Sequence, residues 1–233
     1  MELPRPGTID LWNWDLDVTA DRLVVLEAVL NSDERCRRDR FYFSREAARF
    51  VAARGQLRAI LAEYLQLGAD AVRFDYNDYG KPCLRRSGAT PPVCFNLTHS
   101  DGLAVLAVSS DRAVGVDIER MRTVAEDMTD WIMTDEEKRC FRSLPPELRR
   151  DAFFQCWTRK EAVLKAIGHG FSLSPRCLEV PFGVNGHARL LCIGGDGLST
   201  QRWRVADFTP APGYAGAIAA QGPPWTLRLR QSP

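Results

Sequence analysis

Only three histidines occur among the 233 residues, and the seven cysteines form no C-x-x-C pair. Clustered zinc ligands need those residue types at short spacing, so the sequence argues against a structural zinc site. Cys36, Cys83, Cys94, Cys140, Cys156, Cys177 and Cys192 are odd in number and scattered. They read as reduced thiols of an intracellular protein, not as a disulfide framework. Long apolar runs are also missing. No stretch reaches transmembrane length, and the opening M-E-L-P-R-P-G has no signal-like apolar segment. The expectation is a cytoplasmic protein without a membrane partner. Net charge is only +1, so no global field suggests nucleic acid, and an anionic ligand must be held by a local basic cluster. Walker A, G-x-G-x-x-G and G-x-S-x-G sequences are absent, which removes P-loop, dinucleotide and nucleophile-elbow chemistry.

What is present is ordinary globular composition: 45% hydrophobic and 26% charged residues, enough chain for one large domain or two small lobes. Ile9–Val18 alternates as a half-buried strand, Leu23–Leu30 reads as a short helix, and Ser32-Asp33-Glu34 offers a cap for another. Apolar residues recur at helical spacing over Ser44–Leu67, with Gly68 as the stop and Arg45, Arg49, Arg54 and Arg58 as a basic edge. Helix solvation explains those arginines; phosphate binding is the sharper alternative, because the guanidinium fork matches phosphate oxygens. A strand, an N-D-Y-G-K turn and a small-residue loop at Ser87–Pro92 follow. Then come strands over V-C-F-N-L-T-H-S, Gly102–Ser109 and Val114–Arg120, and a helix over Met133–Arg142 begun by a Thr134/Glu137 capping box. Strands are expected at Leu178–Val184, Ala188–Ile193, Trp203–Phe208 and Tyr214–Ala220, with a last edge strand at Trp225–Arg230. A glycine-closed long helix, a strand and a turn occur in both halves. This echo suggests two lobes, 1–110 and 111–233, joined near Ser109–Val114.

Three stretches carry chemistry. In F-F-Q-C-W-T-R-K-E-A-V-L-K-A-I-G, positions four apart share a helix face, so Trp157, Glu161 and Lys165 form one stripe. Alone this is a surface helix with one weak Glu–Lys pair. In V-G-V-D-I-E, strand alternation sends Asp117 and Glu119 to one face and Val116 and Ile118 to the other. Two adjacent carboxylates repel unless a cation lies between them or one is protonated, and Mg²⁺ suits such a site. The bland alternative is an exposed edge with two solvated acids. N-L-T-H-S ends a strand with hydroxyl and imidazole donors, Thr98, His99 and Ser100, suited to phosphate. Adjacent Ser100 and His99 cannot easily form a hydrolytic triad with Asp117. An acidic triplet with scattered Arg and Lys and no protein nucleophile fits phosphoryl-group transfer.

In this order and spacing, N-L-T-H-S, V-G-V-D-I-E and W-T-R-K-E-A-V-L-K resemble the Sfp-type 4′-phosphopantetheinyl transferases, as does the Y-G-K-P turn before them. The resemblance implies an α+β fold of two similar lobes with pseudo-twofold symmetry, each a small, mostly antiparallel sheet packed on a long helix, with coenzyme A in the cleft. It implies a holo-[acyl-carrier-protein] synthase, a monomer. Such an enzyme moves the phosphopantetheine arm of coenzyme A to a serine of an apo acyl or peptidyl carrier protein and releases 3′,5′-ADP. It further implies Mg²⁺ on Asp117, Glu119 and Glu161, with Glu161 as base and Lys165 on a phosphate. Lys81, Thr98, His99 and Arg49 would bind coenzyme A, and Thr98 stands where many members have serine. Glu137 matches a further family acid, and the carrier would dock near Met121–Phe141 through Met128, Trp131, Ile132 and Met133. The rival readings are a Mg²⁺-dependent phosphotransferase for a small nucleotide and a non-catalytic coenzyme A- or carrier-binding module.

Overall fold

The structure is a computed structural model that describes residues 1–85, 93–124, 126–168, 173–180, 182, 187–189, 192–193 and 203–231. The expected Ser87–Pro92 loop, residues 185 and 186 of the N-G-H turn, and 190–191 lie outside the described residues. In chain order the elements are β1 (Thr8–Asp15), α1 (Ala20–Ala28), α2 (Ser32–Arg38), α3 (Ser44–Leu65), β2 (Phe74–Tyr76), β3 (Pro82–Leu84), β4 (Cys94–Ser100), β5 (Leu103–Ser109) and β6 (Val114–Arg120). There follow α4 (Glu126–Ile132), α5 (Asp135–Ser143), α6 (Pro146–Ile167), β7 (Leu178–Glu179), β8 (His187–Arg189), β9 (Cys192–Ile193), β10 (Trp203–Phe208), β11 (Tyr214–Gln221) and β12 (Thr226–Gln231). The fold is mixed α+β.

Helix limits follow local chemistry. The Thr134/Glu137 capping box opens α5 as expected, and a second box, Asn31 with Glu34, opens α2. α3 stops at Gln66, held in the left-handed region at φ 54°, two residues before the expected Gly68. Pro146 begins α6 instead of only interrupting the chain, since a first-turn proline loses no helical hydrogen bond. Gly168, at φ 84°, ends it. α4 is an addition to the expected elements.

Among the described residues two four-stranded sheets form, ordered β12-β1-β5-β4 and β6-β11-β10-β8. All neighbours are antiparallel except β12, which runs parallel to β1. The Trp225–Arg230 stretch is therefore an edge strand, but of the sheet built by the first half of the chain. Arg228 holds it there with bonds of 2.5 and 2.9 Å to the buried Asp10, which also accepts from the Tyr64 hydroxyl at 2.6 Å.

Period-2 alternation sorts the strands into three apolar cores. Trp12 and Trp14 of β1 and Ala104, Leu106 and Val108 of β5 face α3. Ile9, Leu11, Leu103, Val105 and Ala107 face the other way, onto Val114, Val116 and Ile118 of β6 and Ile218 of β11. Ala215, Ala217 and Ala219 pack on α6. β5 is covered on both faces, which is why L-A-V-L-A-V-S shows no polar alternation.

Candidate active site

Gly115 decides how closely α6 approaches β6. A Cβ at this position would lie 2.0 Å from the Ala162 carbonyl oxygen and 2.4 Å from the Ala166 nitrogen. Helix backbone thus rests directly on the strand, and Asp117 and Glu119, two and four residues along, face the same helix. The expected stripe on α6 meets them. Trp157 Nε1 donates to Glu119 Oε1 at 3.4 Å, and Lys165 Nζ donates to Asp117 Oδ1 at 2.5 Å. Glu161 lies between these two contacts on the helix.

β4 supplies the other wall. Its alternate residues Asn96, Thr98 and Ser100 all turn toward β6. Asn96 Oδ1 accepts from Val116 N at 2.8 Å, the Thr98 hydroxyl donates to Asp117 Oδ1 at 3.2 Å, and the Ser100 hydroxyl donates to Glu119 Oε2 at 2.7 Å. Lys165 also donates to Thr98 at 3.0 Å. The two sheets are therefore stitched together by the same side chains that hold the acids. Asn96 lies outside the expected residues, although its period-2 spacing with Thr98 is a readable signal, and Ser100, expected as a phosphate donor, is bonded to Glu119 instead.

Among the described residues, the buried side-chain oxygens left without a hydrogen-bond partner are Asp117 Oδ2 and Glu161 Oε1. Burial raises the Asp117 carboxyl to about 6, against the pull of Lys165. Burial first, then the Asp117 charge, raises Glu161 to about 7, again against Lys165. Such acids want either a proton or a cation. No three His, Cys, Asp or Glu side chains are already grouped as a cation cage among the described residues. The positive charge now seated on Asp117 is Lys165.

A testable consequence concerns the metal-free protein. Between about 4.5 and 7 the folded chain keeps a proton on Glu161 that the unfolded chain has released, so this group's stabilisation is full below the unfolded value and is lost as pH rises through 7. Chemical unfolding in chelator should show wild type losing more stability than Glu161→Gln between pH 5 and 8. Parallel pH profiles for the two proteins would overturn this.

The remaining expected ligands are dispersed. His99 lies on the face of β4 opposite Thr98 and is exposed; the surrounding protein, then Lys165, Arg49 and Arg37, hold its imidazole below its usual value. Arg49 makes two 2.8 Å bonds to Asp17 and reaches Asp101 at 3.3 Å. Arg49 and Arg45 hold the Asp17 carboxyl well below the usual range. Arg54 and Arg58 drop out as phosphate ligands, because both are committed to the buried Glu34, and Arg58 also donates to the Val72 carbonyl. Lys81 Nζ is directed at the C-terminal carbonyls of α6. Glu137 is not in the acidic site: it binds the fully buried Lys160 at 2.6 Å and accepts from Val180 N. Ile132 and Met133 are core residues, so neither is a docking contact, whereas Trp131 is 52% exposed and Met128 is 39% exposed. Periodicity gives no hint of the Ile132 burial, because α4 is itself outside the expected elements, and Met133, expected to open a helix, lies just before α5.

Residues 13–111 match a family model described as 4′-phosphopantetheinyl transferase, N-terminal, and residues 113–219 match the 4′-phosphopantetheinyl transferase superfamily. The chain is 36% identical over 232 residues to the 4′-phosphopantetheinyl transferase HetI of Nostoc sp., covering 96% of this chain and 94% of that protein. The chain belongs to the 4′-phosphopantetheinyl transferase family. It is a transferase of the Sfp type. Sfp of Bacillus subtilis is 26% identical over 82% of this transferase and 80% of its own length. The L-aminoadipate-semialdehyde dehydrogenase-phosphopantetheinyl transferase of Mus musculus is 26% identical over 88% of this chain and 71% of its own. No described helix is long and apolar enough to cross a membrane.

Proposed function

We propose that this transferase moves the 4′-phosphopantetheine arm of coenzyme A to a serine hydroxyl of an apo acyl or peptidyl carrier protein, using the acids between β6 and α6. The observation that carries the reading is the pair of partnerless buried oxygens, Asp117 Oδ2 and Glu161 Oε1, with the Asp117 charge felt at Glu161 and Lys165 bonded to Asp117. An all-carboxylate donor set with spare oxygens fits a hard cation, so Asp117, Glu119 and Glu161 would hold Mg²⁺. When bound, the ion would neutralise charge on the pyrophosphate.

The protein's own groups do the rest. The carrier serine oxygen forms a bond to the phosphorus bearing the pantetheine arm, and the bond from that phosphorus to the 3′,5′-ADP oxygen breaks. Glu161 takes the serine hydrogen as general base. Lys165 moves from Asp117 to a phosphate oxygen and offsets charge on the departing ADP. His99 and Arg49, among cationic neighbours, would face the 3′-phosphate, with Thr98 orienting Lys165. Met128 and Trp131 remain as apolar contacts for the carrier. The same reading takes the molecule as two pseudo-twofold lobes, 1–110 and 111–233, monomeric and cytoplasmic. A 22-residue helix in each half, beside a four-stranded sheet that in the first half is completed by β12, supports the two-lobe part of that reading. β12, returning to the first sheet, then ties the lobes together.

The test is incubation with coenzyme A, Mg²⁺ and several apo carriers, followed by intact-mass measurement. The expected result is a phosphopantetheine mass gain on the carrier serine. No gain on any fatty-acid, peptide or polyketide carrier would refute the proposal.

A further inference from the structure

We propose that Lys81 is a positioning residue: its ammonium locks the end of α6 to the start of β6 and so fixes where Lys165 and Asp117 meet. This deepens the transferase reading, on which its kinetic arm rests, and departs from the expectation that Lys81 binds coenzyme A.

The ammonium has three donors. They face three carbonyls: Lys165 O at 2.5 Å, Ala166 O at 3.2 Å and Val114 O at 3.4 Å. The first two belong to the last turn of α6, whose carbonyls have no helical partner and carry the negative end of the helix dipole. The third begins β6. One cation in the turn between β2 and β3 thus joins the two elements that carry Asp117, Glu119, Glu161 and Lys165, and no donor is left over for a phosphate oxygen.

The turn itself is built to present this cation. Asn77 Oδ1 accepts from Tyr79 N at 3.1 Å and Lys81 N at 2.8 Å, closing the N-D-Y-G-K loop on itself. Asn77 Nδ2 then donates to the carbonyl of Gly168, the residue that ends α6, at 2.8 Å. The fit is close, since a Cβ on Gly168 would lie 3.1 Å from Lys81 Cδ. Burial pushes the ammonium down to about 8, as expected for a cation withdrawn from water. It is still charged at neutral pH. It acts on the backbone of a reacting residue directly, because Lys165 supplies a carbonyl that it grips.

Lys81→Met keeps the length and removes the donors, Lys81→Arg keeps donors, and Asn77→Ala loosens the turn while leaving the Lys81 side chain unchanged. Each is assayed for kcat and for KM toward coenzyme A, and each is followed by hydrogen exchange over residues 160–168, which needs no turnover. Lys81→Met is expected to lower kcat roughly tenfold or more, since small misplacements of reacting groups are costly. Its KM should stay within about twofold, which marks a loss confined to the reaction step. Exchange at the end of α6 should quicken. Asn77→Ala should shift the same quantities less, and Lys81→Arg should restore part of kcat. A raised KM with kcat and exchange unchanged would make Lys81 a coenzyme A ligand and overturn the proposal. Faster exchange with unchanged kcat would overturn it too, leaving only a structural role. Wild-type turnover, measured alongside, separates either failure from a failure of the transferase reading.

Discussion

Asp117→Asn should lower kcat for phosphopantetheine transfer by roughly 10²- to 10³-fold, the usual loss when one preorganised charge-stabilising group is removed. The substitution keeps the shape of the side chain and removes its charge. Folding should survive it, for a physical reason: burial already raises the Asp117 carboxyl to about 6, so the native state disfavours the charge it gives up. Lys165, 30% exposed, can turn to solvent when its partner is neutralised. The expected signature is a collapsed rate with a melting temperature equal to or above that of wild type. Glu161→Gln should behave alike, because its carboxyl is buried and held near 7. The third acid, Glu119, is anchored by Ser100 and Trp157, and Glu119→Gln should also slow the reaction. A rate within about threefold of wild type for Asp117→Asn would remove the acidic site from the mechanism.

Gly115→Val should be the most destabilising single substitution at the site. Its Cβ would collide with backbone atoms of Ala162 and Ala166, which cannot rotate away. Overpacking against side chains typically costs about 1–3 kcal/mol. Here whole elements must separate, so a loss of about 3 kcal/mol or more is expected, roughly 6–12 °C in melting temperature for a chain of this size. Transfer should fall as well, because widening the gap between β6 and α6 pulls Lys165 from Asp117. Calorimetry with a parallel assay checks both. An unchanged melting temperature would show that the helix does not rest on the strand as described.

Much of this is legible in the chain. Helical spacing puts Trp157, Glu161 and Lys165 on one face, and strand alternation puts Asp117 and Glu119 on another; both groupings persist in the fold because they depend on local geometry alone. Most elements near the site are equally local, as with the Thr134/Glu137 box. Less legible is where each charged side chain is spent. Arg49, Arg54 and Arg58 look equivalent along one helix, yet Arg54 and Arg58 are bound to Glu34, on a separate helix. Glu137 reads as a third-party acid until Lys160 is seen against it. These pairings join residues remote in sequence, and no periodicity encodes them.

The stripe on α6 shows the division. Its residue types and spacing come from the sequence, since a helix fixes which side chains share a face. What they do is decided by tertiary contacts: β4 brings Thr98 and Ser100 to the acids, Gly115 lets α6 settle against β6, and Lys81 reaches across to hold the helix end. Burial then leaves Asp117 and Glu161 each with an oxygen that has no protein partner. Desolvation depends on what surrounds a group in space, and that is information only the folded chain contains.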